Sequence, residues 1–221
     1  SPKFLKLYEN INDERNEGLH MVYSQFRTLE GIGLFKLVLE HNGYAEFKLK
    51  RKVVDGKEDF VVDITEEDLI KPKFALYTGT ESTEEKEMVR KIYNNDFSNL
   101  NRELLGQIKT MGSNNIYGDI IKVFMITASG AEGINLKNTR YVHIMEPYWH
   151  PVRVEQVIGR ARRICSHEEI EDPTKRTVEV YHYLMEIEEE MAASDSQLQM
   201  RDVSKRDKVT VFSTDQTLNE I

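Results

Sequence analysis

The chain has 221 residues, 39% of them hydrophobic, which suffices for one sizeable core plus an appendage but includes no run long enough to span a membrane and no signal-peptide pattern. Its net charge of −8 argues against a dedicated domain that binds nucleic acid tightly and nonspecifically, while leaving room for a cleft with local positive charge. A single cysteine, Cys165, excludes an internal disulfide and fits a reducing compartment, and the six histidines lack the paired spacing of zinc ligands.

The apolar positions Phe4, Leu5, Leu7, Tyr8 and Ile11 predict a short amphipathic helix. Asp13 and Glu14 follow no apolar strand, so they read as loop rather than as a metal-binding acidic box. Residues 19–23 predict a strand that ends at Ser24-Gln25-Phe26, and Leu34, Phe35, Val38 and Leu39 mark the core face of a following helix. Ser24 and Gln25, donors at the carboxyl end of a strand, are placed for phosphate contacts, and Ser24 suits a helix cap equally well.

Residues 45–75 form a charged insertion in which Asp55-Gly56 signals a hairpin. Lys48, Lys50, Arg51, Lys52 and Lys57 cluster there. They read either as a nucleic-acid contact or, preferred here, as a solvated edge hairpin protected from aggregation by its lysines. Residues 74–77 predict a strand ending in Thr78-Gly79-Thr80. Ser82-Thr83-Glu84-Glu85 is a capping box that starts a helix running to about Asn95, and residues 97–118 read as a helix and a loop.

The richest stretch is 123–163. Apolar residues 123–126 break into a turn bearing Thr127, Gly130 and Gly133, residues 141–145 predict a second strand, and Pro151 opens a helix over 152–164. At 100° per residue, Gln156, Gly159, Arg160 and Arg163 share one stripe of this helix. Val154, Val157, Ile158, Ala161 and Ile164 or Cys165 share the opposite, apolar one, which makes Cys165 a buried thiol. A mid-helix glycine costs about 1 kcal/mol against alanine, so Gly159 between a glutamine and two arginines points to close approach by a partner. The arginine fork suits phosphate oxygens. Beyond the helix, residues 176–184 alternate as a closing strand, and the acidic, polar stretch 186–221 reads as a partly helical or flexible extension.

Gln156-x-x-Gly159-Arg160-x-x-Arg163 resembles motif VI of superfamily 2 helicases and translocases, and the run from Thr127 through Gly133, Ile134, Asn135 and Leu136 resembles motif V. The segment from Glu146 to Pro151, with Trp149 inside it, resembles the D-x-x-W-N-P segment of Swi/Snf-type DNA translocases. Residues 154–167 followed by 176–184 are closer still to the DNA-dependent ATPases of large cytoplasmic DNA viruses, pox-, asfar- and mimivirus-like. The resemblance covers most of 1–185. Thr78-Gly79 resembles the segment between motifs IV and V. Ala128, Ala131 and Glu132 depart from the Swi/Snf pattern, which weakens the motif V contacts to nucleic acid and leaves the arginines untouched.

That resemblance implies an α/β fold, a RecA-like three-layer sandwich around a mainly parallel sheet, with a hairpin insertion at about 45–75 and a lobe boundary near 185. A phosphate-binding loop G-x-x-x-x-G-K-[ST] is absent, as is an Asp-Glu metal box at a strand end. The chain therefore resembles the C-terminal of two lobes, with ATP and Mg2+ held mainly by an N-terminal RecA-like lobe and the chain alone inactive. Arg160 and Arg163 would act as arginine fingers, with Gln156 orienting them or the attacking water. Gly133, Asn135 and Gly159 would approach the nucleotide, and Ser24, Gln25, Thr78, Gly79 and Thr127 the nucleic acid.

Lobe closure on ATP and nucleic acid would then couple hydrolysis to stepping. The implied partners are DNA or RNA and RNA polymerase or transcription factors, with no membrane, in viral transcription within a cytoplasmic viral factory or virion. Two other readings stand beside this one. The chain is either a non-motor RecA-like module for nucleic-acid or protein binding, or an unrelated α/β enzyme binding a sugar nucleotide or dinucleotide at the Gly130/Gly133 turn. The latter lacks a ribose-binding acid about 20 residues on.

Overall fold

The structure is a computed structural model that describes all residues except 29–30, 55, 129–132, 149, 186–214, 216–217 and 219–221, and only the backbone of 54 and 57. In chain order the elements are α1 (Pro2–Asn12), β1 (Leu19–Ser24), α2 (Ile32–His41), β2 (Ala45–Glu46), β3 (Leu49–Val54) and β4 (Lys57–Val62). They continue with β5 (Lys73–Tyr77), α3 (Thr83–Tyr93), α4 (Arg102–Met111), β6 (Val123–Thr127), β7 (Thr139–Ile144), α5 (Pro151–Ala161) and β8 (Glu179–His182). Part of the expected motif V turn, Trp149, Asp55 of the hairpin signal and most of the 186–221 extension lie outside the described residues.

Six strands form one sheet in the order β2-β5-β6-β1-β7-β8, and every pairing in it is parallel. Parallel strands are buried on both faces, and the central ones here read as near-continuous apolar runs for that reason. Successive side chains alternate between two cores. Met21, Tyr23, Phe124, Ile126, Val142 and Ile144 pack with residues of α3, α4 and α5. Val22, Phe74, Val123 and Met125 pack with Phe4, Leu7 and Ile11 of α1 and Phe35 and Leu39 of α2. The result is the three-layer RecA-like α/β sandwich.

Local chemistry sets the helix starts. Ser82 accepts from the Glu85 amide and Asn101 from the Leu104 amide, which caps α3 and α4. Asn115, fully buried, ties down the loop after α4. Its Nδ2 donates to the carbonyls of Tyr93 and Ile121, and its Oδ1 accepts from the amides of Ile120 and Ile121.

Two expectations are corrected. The hairpin is not an edge of the main sheet: β3 and β4 pair only with each other and lie on α4, where the Val62 amide donates to Gln107 Oε1 and Asn101 Nδ2 donates to the Phe60 carbonyl. The last helix stops at Ala161, short of the expected 164, because the chain must double back to the start of β7. There the Asn138 amide donates to the Ser166 carbonyl at 2.8 Å. Ile164, 96% exposed, and Cys165, exposed with φ +63°, therefore leave the apolar stripe, and the thiol is not buried.

Two histidines occupy the core between β1, β7 and the end of β8. His20 Nδ1 lies 3.0 Å from His143 Nε2, His143 Nδ1 lies 2.8 Å from the Tyr183 hydroxyl, and Asn10 Nδ2 donates to that hydroxyl. His20 Nε2 completes the chain on the Asn16 carbonyl. One direction satisfies every group: Asn10 donates to Tyr183, Tyr183 to His143, His143 to His20 and His20 to Asn16. Each imidazole then carries one proton and is neutral, and burial pushes both pKa values down, that of His143 to about 3.

Candidate nucleotide and nucleic-acid faces

The first candidate face is built on α5. Val154, Val157, Ile158 and Ala161 anchor this helix in the core, which leaves Gln156 exposed, Gly159 and Arg160 half-buried, and Arg163 exposed just past its end. A Cβ added at Gly159 would meet nothing within 4 Å among the described residues, so no packing among them demands a glycine there.

The strand-to-strand crossover 133–138 runs along this helix. The Leu136 amide donates to the Arg160 carbonyl at 3.0 Å, and Arg163 Nη2 donates to the Ile134 carbonyl at 3.1 Å. Gly133 opens the crossover with φ +72°, a left-handed conformation that glycine adopts without strain. The half-buried Asn135 follows; its Oδ1 and Arg160 Nε are buried with no hydrogen-bond partner among the described residues.

Sequence reasoning missed the residues that hold this junction. The Asn94 side chain donates to the Asn135 carbonyl and accepts from the Lys137 amide, both at 2.8 Å. Ser166 donates to the Ala161 carbonyl, and His167 Nε2 lies 2.8 Å from the Thr139 carbonyl. All of these bonds go to main-chain groups, so no side-chain pattern announced them. The structure thus brings Gly133, Asn135, Gly159, Arg160 and Arg163 to one junction, with Gln156 about one helical turn before Arg160.

The second candidate face is the carboxyl edge of the sheet, where β1, β5, β6 and β7 end side by side. Here the hydroxyls differ from expectation. Ser24 is fully buried: its Oγ donates to Glu146 Oε1 at 2.8 Å and accepts from the Phe26 amide at 3.0 Å. Nor does Ser24 cap α2, whose N-cap is Gly31 without a side-chain bond. Thr78 is buried and donates through Oγ1 and its amide to the two oxygens of Glu81. Both side chains are engaged by carboxylates of the same chain and are not presented to a phosphate. Gly79 is exposed, Gln25 half-buried and Thr127 buried at this edge. The Glu146 carboxylate also accepts from the Gln25 amide at 3.1 Å, and its own burial raises its pKa against those two bonds.

Charge separates the two faces from the hairpin. Lys48 pairs with Glu46, Lys50 with Asp63, Arg51 with Glu58 and Glu84, and Lys52 with Glu103, so these four cations of the insertion are neutralised. Arg27, Arg153, Arg160, Arg162 and Arg163 form no ion pair with an acid among the described residues. Arg153 rests over the Tyr148 ring, 5.0 Å from its centroid. No group of three or more metal-ligating side chains occurs among the described residues, and no helix there is long and apolar enough to cross a membrane.

The chain is similar to known proteins. The profile of the helicase conserved C-terminal domain matches residues 3–165. A protein of Acanthamoeba polyphaga mimivirus that carries the name of an ATP-dependent RNA helicase is 33% identical over 184 residues, 83% of this chain and 26% of the relative. A protein of African swine fever virus named as a termination factor NPH-I homolog is 29% identical over 202 residues, again 83% of this chain and 26% of the relative. Among solved structures, the C-terminal part of the Fun30 ATPase domain is similar with a TM-score of 0.49 and 14% identity over 83% of this chain and 40% of that one. The chain thus spans about a quarter of the length of these viral relatives.

Proposed function

The chain belongs to the helicase conserved C-terminal domain family, and we propose that residues 1–185 are the second RecA-like motor lobe of an ATP-dependent nucleic-acid helicase or translocase, with 186–221 an extension of that lobe. DNA is the proposed track, in viral transcription within a cytoplasmic viral factory or virion, with RNA polymerase or transcription factors as further partners. The observation that carries this reading is the α5 stripe: Arg160 and Arg163 are unpaired with any described acid, and the 133–138 crossover is fastened to both of them.

In this reading ATP and Mg2+ sit in the cleft against an N-terminal lobe that supplies the triphosphate loop and the acidic box, so the chain alone is inactive. Arg160 and Arg163 meet the β- and γ-phosphates and stabilise charge spread over the transferring phosphoryl group. Gln156 orients them or the attacking water. Gly133, Asn135 and Gly159 bound the nucleotide, and Asn135 Oδ1 and Arg160 Nε, without a partner among the described residues, supply an acceptor and a donor for a polar ligand. Gln25, Gly79 and Thr127, with the main chain at Ser24 and Thr78, line the nucleic-acid side.

The test is nucleic-acid-stimulated ATP hydrolysis by the full-length protein, with duplex DNA, single-stranded DNA and RNA as separate activators. Arg160→Ala or Arg163→Ala should lower kcat by about 10³-fold, as loss of an arginine finger does, while nucleic-acid affinity stays within a few-fold. An unchanged rate would reject the finger role and favour the non-motor module. Stimulation by RNA alone would overturn the DNA assignment.

A further inference from the structure

The seam between the hairpin and α4 carries a groove that neither candidate face uses. Two hydrogen bonds fix the direction of its walls. Asn101 Nδ2 donates to the Phe60 carbonyl and the Val62 amide donates to Gln107 Oε1, so β4 and the chain after it advance alongside α4 in the same sense. Between them lies a groove of about 750 Å³. Val62, Ile64 and Leu69 line one wall. Arg102, Gly106 and Thr110 line the other, at four-residue spacing along one ridge of α4. Arg102 stands at the end near Phe60, and Glu66, past the end of β4, at the end near Thr110.

Three features of this groove are unfavourable in a lone chain. Gly106 is exposed in the middle of a helix, where glycine weakens the helix, and a Cβ there would meet nothing within 4 Å among the described residues. Arg102 opens α4 at the positive end of its dipole, and neither Arg102 nor Glu66 forms an ion pair among the described residues. The ridge from Arg102 to Thr110 is about 12 Å long, which holds these two charges apart. Ile64 and Leu69 are only half-buried, and Ile70, next in the chain, is 92% exposed.

A second copy of the chain, turned by a two-fold axis at Gly106, answers all three. The two copies of α4 then pack antiparallel with their glycines facing, which lets the backbones approach closely. Arg102 lies four residues before Gly106, and Glu66 lies by the ridge position four residues after it, so each Arg102 meets Glu66 of the partner subunit. The half-buried apolar walls cover each other. A contact in which the two ends of one groove match each other is self-complementary, as a two-fold interface must be.

We propose that this groove is a dimer interface between two copies of the chain, closed by reciprocal Arg102–Glu66 pairs around Gly106. None of its residues belongs to α5, to the 133–138 crossover or to the carboxyl edge of the sheet, so the proposal is independent of what those faces bind.

Sedimentation equilibrium of the full-length protein tests it. The wild-type protein should dimerise reversibly at micromolar concentrations. Gly106→Gln should weaken the dimer about 10-fold without lowering the melting temperature of the monomer, because glutamine favours an exposed helix position. Arg102→Glu or Glu66→Arg alone sets like charges opposite each other and should also weaken it about 10-fold. The double variant should recover most of the affinity, and so should an equimolar mixture of the two single variants, because both restore opposite charges across the two-fold.

A wild-type protein that stays monomeric through the micromolar range would overturn the proposal, whether or not another protein occupies the groove. So would a dimer indifferent to Gly106→Gln and to both charge reversals, whose contact must lie elsewhere, or reversals that fail to rescue each other. Each of these results would leave the motor reading intact.

Discussion

Asn115 shows how much one buried side chain holds in this lobe. Its amide group makes four hydrogen bonds to the main chain of 93, 120 and 121, and it is fully buried. Replacing it by alanine leaves those groups dry and unpaired, at a cost of about 3 kcal/mol by the usual penalty for buried unsatisfied groups. Urea denaturation of Asn115→Ala should read that loss as a lower midpoint with an unchanged slope. Asn94 plays a related part closer to the site, gripping the main chain at the Asn135 carbonyl and the Lys137 amide. The sequence marks both positions as no more than loop polars, because asparagine is common in loops and its partners here are carbonyls and amides 5 to 43 residues away.

Among the elements, the β3–β4 ribbon and α5 make the sharpest contrast. Both are rich in cations, yet the ribbon's described cations face carboxylates of β4, α3, α4 and the flanking loops. The ribbon therefore offers little net positive field, and exposed pairs of this kind contribute only about 0–1 kcal/mol each. Lys50→Glu with Lys52→Glu should change the full-length protein's nucleic-acid affinity by less than about 2-fold. It should leave the salt slope where it was. A drop of 10-fold or more would restore the ribbon as a contact element. For α5, apolar spacing predicted the helix, the burial of Val154, Val157, Ile158 and Ala161, and the outward side of Gln156. It overran the end by three residues because Ser166 is held under the start of β7, a constraint that helical periodicity does not encode.

At the scale of the whole molecule, the neutral histidine pair couples stability to pH. Both imidazoles have pKa values below 6.5 when folded and near 6.5 when unfolded, so the unfolded chain binds more protons as the medium acidifies. Their contribution is complete above pH ~6.5 and declines as pH falls, down to about 3 for His143. Equilibrium denaturation should therefore show stability falling by about 1 kcal/mol per imidazole for each pH unit between ~6.5 and 5, before carboxylates dominate. A flat profile there would mean that these rings accept protons inside the fold as readily as in water. The fall would be global, because the chain from Asn10 to Asn16 ties α1, β1, β7 and the end of β8 together.

What the sequence determined by itself was everything carried by short-range periodicity and by contiguous motifs. The central parallel strands β1, β5, β6 and β7 follow from apolar runs, α3 from its capping box, and the Gln156–Arg163 stripe from helical spacing, because each of these signals lies within about a dozen residues. Only the tertiary structure decided which polar groups face a partner and which face one another. Ser24 and Glu146 are 122 positions apart, and His20 and His143 are 123 apart. Whether a hydroxyl is offered to a phosphate or closed onto a carboxylate depends on which strand the fold sets beside it, and no local pattern carries that information.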